Sequence, residues 1–234
     1  MIEGIEITIG DKAYPFPSSI DEVKLSNYLG FQKYAEQYSD LIEKSEKLSD
    51  AKYMDAYYKM QTVKAKAVCE FFGASPKELK IKREDTATEA IIDIIYVGIL
   101  DLLATYKPKF YEADKKDSEE LRFTHKGEEF VIIDGRGRDI SVAEYISARE
   151  VERLMDNYRK SKRVSDSDVT YTEAVSLVAI FARREGDVLP ENERDEELFI
   201  EGRKKFFADI PFAVGLDAIF FLGGLMRLFS GRLD

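Results

Sequence analysis

Tryptophan is absent from the 234 residues, and cysteine and histidine occur once each, as Cys69 and His125. A single cysteine excludes an intrachain disulfide and a thiolate metal cluster, and it fits a reducing cytosol. One imidazole cannot form a two-histidine metal site, and no nucleophile pattern near His125 suggests a catalytic triad. Basic residues are outnumbered 35 to 45, for a formal net charge of -10. That balance disfavours nucleic acid, because a duplex-binding domain presents a basic face to the phosphates. The start, Met1-Ile2-Glu3-Gly4-Ile5, carries no basic stretch before an apolar run, so no secretory signal is expected. Long hydrophobic runs are scarce: Ile210 to Phe229 alone has membrane-like length, and it carries Pro211, Asp217 and Arg227. A charge at mid-membrane costs about 2.5–3.5 kcal/mol, so this segment is expected to be core or interface, with no membrane partner. What remains is ample for a folded core, since 44% of the residues are hydrophobic and 34% charged. The length fits one large or two small domains.

Ile5, Ile7 and Ile9 alternate with polar residues at the period of a half-buried strand. Gly10-Asp11-Lys12 then reads as a turn and Ala13 to Phe16 as a returning strand, which Pro15 and Pro17 restrict to an edge. A helix is expected from Leu25-Ser26, with Ser26 as N-cap and Tyr28, Leu29, Phe31, Tyr34 and Tyr38 on its apolar side. Ser39 to Lys52 reads as a helix end and a loop. A second helix spans Ala51 to Phe72, stopped by Gly73 and Pro76. A third, Ala87 to Tyr106, is apolar nearly all round and ends before Pro108. The charged stretch Glu112 to Glu120 reads as a domain connector. Beyond it, Leu121 to Thr124 and Glu129 to Ile133 flank the turn Lys126-Gly127-Glu128. Ser141 caps a helix with Val142, Tyr145, Ile146 and Val151, and further helices are expected at Tyr171 to Arg184, Glu196 to Phe207 and Phe212 to Phe229.

The hairpin glycines Gly10 and Gly127 lie 117 positions apart, as do Tyr28 and Tyr145. A repeated order of hairpin and helices suggests a degenerate tandem duplication. The expected fold is therefore α+β and predominantly α-helical. It comprises two tandem units, each a β-hairpin followed by about three helices, over residues 1–111 and 121–234 with a connector at 112–120.

None of the chemistry-bearing residues forms a recognisable catalytic, metal or cofactor constellation, so a non-enzymatic protein without cofactor is expected. His125 reads as an exposed turn residue and Cys69 as a small core hydrophobe. The carboxylates Glu119-Glu120, Glu128-Glu129 and Asp195-Glu196-Glu197 read as solvated faces and helix N-terminal charge. Gly135-Arg136-Gly137-Arg138 reads as a connector in preference to an anion-binding nest. Arg159-Lys160-Ser161-Lys162-Arg163, with Arg149 and Arg153 upstream, reads as a solvated helix end. The strongest functional signal is the phenylalanine-rich C-terminal segment. Phe220, Phe221, Leu225, Leu228 and Phe229 are the candidate protein-binding residues, able to hold an apolar segment of a partner. Packing of that helix into a core is the other expectation, supported by its apolar counterpart Ile91 to Leu103, and the two are compatible, since one face can pack while another binds. Replacement of Phe221 by Glu is expected to separate the two: loss of partner capture with the fold intact marks a contact, loss of helicity a core position.

The strand-turn-strand opening, Ile5-Glu6-Ile7-Thr8-Ile9-Gly10-Asp11-Lys12-Ala13-Tyr14, leads into Asp21-Glu22-Val23-Lys24-Leu25-Ser26-Asn27-Tyr28. With Val68-Cys69-Glu70-Phe71-Phe72-Gly73-Ala74-Ser75-Pro76-Lys77-Glu78-Leu79 and Phe220-Phe221-Leu222, it resembles the small assembly chaperones of tailed-bacteriophage tails and baseplate hubs. The resemblance implies a factor of the host cytoplasm that helps assemble tail or baseplate proteins, with no enzymatic activity and no catalytic residue to transfer. Homo-oligomer formation, a structural place in the virion, and a small enzyme with an unfamiliar site stay open as alternatives.

Overall fold

A computed structural model describes residues 5–46, 48–77, 86–107, 120–133, 140–161, 164–187, 190 and 193–230. The chain divides into two compact units, Met1–Tyr106 and Lys107–Asp234. The fold is mostly helical with two small antiparallel hairpins, as the α+β expectation holds. Of the predicted connector, 112–119 lie outside the described residues, as do Asp85 and Pro108.

In the first unit, β1 (Glu6–Ile9) pairs with β2 (Lys12–Pro15), Ile9 opposite Lys12. Gly10 turns the chain at φ 62°, where a β-carbon would be strained. A short 3-10 turn follows, then α1 (Leu25–Ser45), α2 (Asp50–Phe71) and α3 (Thr86–Leu103). Ser26 does not cap α1: the helix already includes Leu25, and Lys24 holds the cap position without a side-chain bond. The polar stretch from Ser39 continues α1 to Ser45, with Asp40 and Lys44 paired one turn apart. Gly73 closes α2 at φ 65°, and the Ala74 amide reaches back 2.8 Å to the Cys69 carbonyl, a Schellman-type end. The hairpin packs on this end of α2, where Ile9, Cys69 and Ala74 are buried with Ile7, Tyr14 and Phe72 around them. Cys69 is the core residue its neighbours implied. The Asn27 side chain, near the start of α1, donates to the Phe71 carbonyl at 3.0 Å and ties the two helix ends together.

The second unit begins with β3 (Glu120–His125) and β4 (Glu128–Ile133), followed by α4 (Val142–Ser161), α5 (Asp166–Phe181), α6 (Glu193–Phe206) and α7 (Phe212–Ser230). These match the four helical segments read from the sequence of this unit, one more than the expected plan of about three helices per unit. Lys126 and Gly127 turn this hairpin at φ 53° and 79°, the paired positive values of a type I′ turn. Just beyond α5, Arg183 adds a third strand position: its backbone exchanges two 2.8 Å hydrogen bonds with Val131. Phe123 stacks on Phe130 at 5.5 Å, and the buried Phe207 packs edge-on against both.

His125 is buried, contrary to the exposed position expected of it. The alternation of β3 sends Leu121, Phe123 and His125 inward together, and the turn starts one residue later. Its Nε2 lies 3.0 Å from the Phe206 carbonyl and its ring meets Phe206 edge-on. Beside it, Lys126 pairs with Asp209 at 2.8 Å and donates to the same carbonyl at 2.9 Å. The Lys126 hydrogen bond holds the Asp209 carboxyl below its usual pKa.

Candidate protein-binding site

The helix α3 carries apolar residues on every side, and among the described residues only one side is buried within its unit. Inward, Ile92, Ile95, Tyr96 and Ile99 follow helical spacing and are buried. Tyr96 meets Phe31 at 5.3 Å and Tyr38 at 5.6 Å, both from α1. Towards α2, Glu89 accepts from the Tyr57 hydroxyl at 3.2 Å and Asp93 from Lys64 at 2.6 Å. These two pairs make α3 run in the same direction as α2.

Lys64 is the polar anchor of this packing. Its ammonium lies 4.8 Å from the Tyr38 ring centre and 5.9 Å from that of Tyr96, a placement that favours the cation. Burial works to lower its pKa, but hydrogen bonds to Asp93 and Tyr38 outweigh burial and leave it raised. Burial likewise pushes the Tyr96 hydroxyl upward, with Tyr38 adding to it. The inner face of α3 is therefore held by rings and a paired charge as well as by aliphatic contact.

The outer face is different. Ile91, Ile94, Val97 and Leu100 are 57, 64, 54 and 43% exposed. They recur every third residue and so form one oblique ridge on the helix surface. Isolated exposed apolar side chains are ordinary, but a contiguous patch of a few hundred Å² on a monomer marks a contact surface. The all-round apolarity of Ile91 to Leu103 is thus only half used as core. A helix apolar all round normally has neighbours all round, and among the described residues α3 has them on one side.

The C-terminal candidates stand partly in view. Phe220 is 48% exposed, Phe221 is half-buried and Leu222 is fully buried, so this stretch of α7 has an inner and an outer side. Leu225, Leu228 and Phe229 belong to α7, but their side chains lie outside the described residues. Asp217 is buried. Among the described residues no helix is long and apolar enough to cross a membrane.

Several of the remaining candidates take structural roles, and others fall outside the described part. Glu196 is buried and accepts from the Ser141 hydroxyl at 2.6 Å, so it is not a solvated carboxylate. Ser141 and Glu144 form a reciprocal capping box at the start of α4, each amide donating at 3.0 Å to the other's side chain. Glu144 also pairs with Arg183, its own side chain having no exposure. Glu128 pairs with Arg184 at 2.9 Å, and Arg149 pairs with Glu152. Glu119, the loop Gly135-Arg136-Gly137-Arg138, Lys162, Arg163 and the Arg159 side chain are not among the described positions. No group of three His, Cys, Asp or Glu residues able to hold a metal occurs among the described residues.

Comparison with family models, curated proteins and solved structures returned no match.

Proposed function

We propose that this chain is a non-enzymatic protein-binding factor that assists assembly of tailed-phage tail or baseplate components in the host cytoplasm. The observation that carries the protein-binding part is the exposed ridge of Ile91, Ile94, Val97 and Leu100 on a helix anchored by its opposite face. The sequence resemblance supplies the class of partner. Phe220, 48% exposed on α7, is the described part of the second apolar surface expected for the same purpose. An affinity pull-down of the tagged chain from cells expressing its neighbouring genes, read by mass spectrometry, tests the reading. Recovery of tail or baseplate proteins by the native chain, and loss of them when Ile94 and Val97 are both changed to Ser, is the expected result. Recovery of nothing above background sinks it, and abundant chain in purified particles reassigns it to the virion itself.

We propose further that the two units arose by tandem duplication. Helices α1 and α4 start 117 residues apart, and α2 and α5 start 116 apart. Matching the turns themselves pairs Gly10 with Lys126, so the hairpins register at 116, one less than the glycine spacing. In each unit the hairpin packs at the C-terminal end of the second helix. Asn27 and Glu144, also 117 apart, each reach from the first helix to that same end, at Phe71 and Arg183. The extra helix α6 is then an insertion in the second copy.

A further inference from the structure

We infer that the ridge on α3 receives a short amphipathic helix of a partner protein, with lysine or arginine bordering its apolar stripe. This rests on the reading of the ridge as a protein contact and specifies the chemistry of what sits there. From Ile91 to Leu100 the ridge runs about 14 Å along the helix axis at 1.5 Å per residue. A row of side chains three apart fits the groove of another helix, the geometry of ridge-into-groove packing.

Charge selects the kind of helix. The sequence of α3 contains three carboxylates, Glu89, Asp93 and Asp101, and no lysine or arginine. Asp101 is exposed, and the Asp93 side chain keeps 48% exposure while holding Lys64. A partner bordered by cations gains attraction along this helix, and one bordered by carboxylates meets repulsion.

The same charges argue against a second copy of this chain. An antiparallel two-fold pairing centred between Ile94 and Val97 sets Asp101 of each copy opposite Ala90 of the other with no cation of α3 to meet it, and a parallel pairing sets each carboxylate beside its twin.

The test uses the full chain and two fluorescein-labelled synthetic helical peptides that share one leucine stripe. One peptide has lysine at the bordering positions and the other glutamate, and binding is read by fluorescence anisotropy. The lysine peptide is expected to bind at least about tenfold more tightly, with the margin shrinking as salt is raised. Ile94→Ser with Val97→Ser should abolish capture, Asp101→Lys should reduce it, and Val142→Glu, at an exposed position of α4, should leave it unchanged. Circular dichroism of each variant checks that helicity is kept. Equal binding of both peptides, still lost in the double serine variant, overturns the charge inference and leaves the protein-binding reading standing. If neither peptide binds and the double serine variant still captures tail proteins in the pull-down, the ridge is not the contact and the inference fails. If sedimentation shows a dimer of the native chain that the double serine variant does not form, the occupant is a second copy, which also overturns it.

Discussion

At the scale of single residues, the buried charges of the second unit carry clear consequences. Glu144 caps α4 and pairs with Arg183 while fully buried. Removing one member of a buried pair strands the other, so Glu144→Ala is expected to cost about 3–5 kcal/mol in denaturant unfolding. The double change Glu144→Leu with Arg183→Met should recover most of that loss, because no charge is left stranded. A double variant as unstable as the single would show that the pair has no such role. Asp187 makes a pH argument. Burial works to raise its pKa, but the Arg184 amide and guanidinium and the Arg203 guanidinium outweigh burial and leave it lowered. A carboxyl depressed in the folded state stabilises fully above its unfolded pKa of about 3.9, and that contribution fades as pH falls through the folded value. Stability measured by urea titration should therefore hold through neutral pH and decline below about pH 4. Asp187→Asn should lower the neutral plateau and flatten the acid decline. An unchanged slope in that variant would assign the acid sensitivity elsewhere, among Glu22, Glu120 and Asp209, whose carboxyls are also held low.

At the scale of elements, helix packing depends on what a close approach tolerates. Gly30 of α1 faces Glu70 of α2, and an added β-carbon there would lie 2.9 Å from Glu70 Oε2 and 3.0 Å from its Cβ. Alanine in a helix gains roughly 1 kcal/mol over glycine, while overpacking costs about 1–3 kcal/mol. Gly30→Ala is thus expected to lower the thermal midpoint. Adding Glu70→Ala should not restore it, because the Cβ contact remains even when the carboxylate is gone. Recovery in the double variant would mean that the flexible carboxylate alone was in the way. Much at this scale was legible from local pattern. Alternation located both hairpins, Gly73 located the end of α2, and Ser141 located the start of α4. The misses have local causes too. The polar first turn of α5, Asp166 to Thr170, hid a helix start that Ser165 caps by accepting from the Asp168 amide. His125 was grouped with the turn it precedes, although its place in the β3 alternation put it inside. The outer ridge of α3 could not be read at all, because apolarity all round a helix does not say which neighbour is missing.

At the scale of the whole molecule, each unit builds a core from its own elements. Ile99 in α3 and Ile132 in β4 are both completely buried, one in each unit. Truncating either to alanine costs about 2–5 kcal/mol locally, and what spreads beyond the mutated unit depends on cooperativity between units. Native-state hydrogen exchange reads this directly. Ile99→Ala is expected to speed exchange across α1, α2 and α3 and leave β3, β4 and α5 protected, and Ile132→Ala should do the reverse. Equal loss of protection in both units from either change would make the chain one cooperative body. Separate responses would also bear on the proposed duplication, since a copied unit must have been able to fold with its own core before its sequence diverged. They would bear on the ridge as well. A partner helix docked on α3 should then raise protection in the first unit alone, which the same exchange experiment repeated with the lysine-bordered peptide would report.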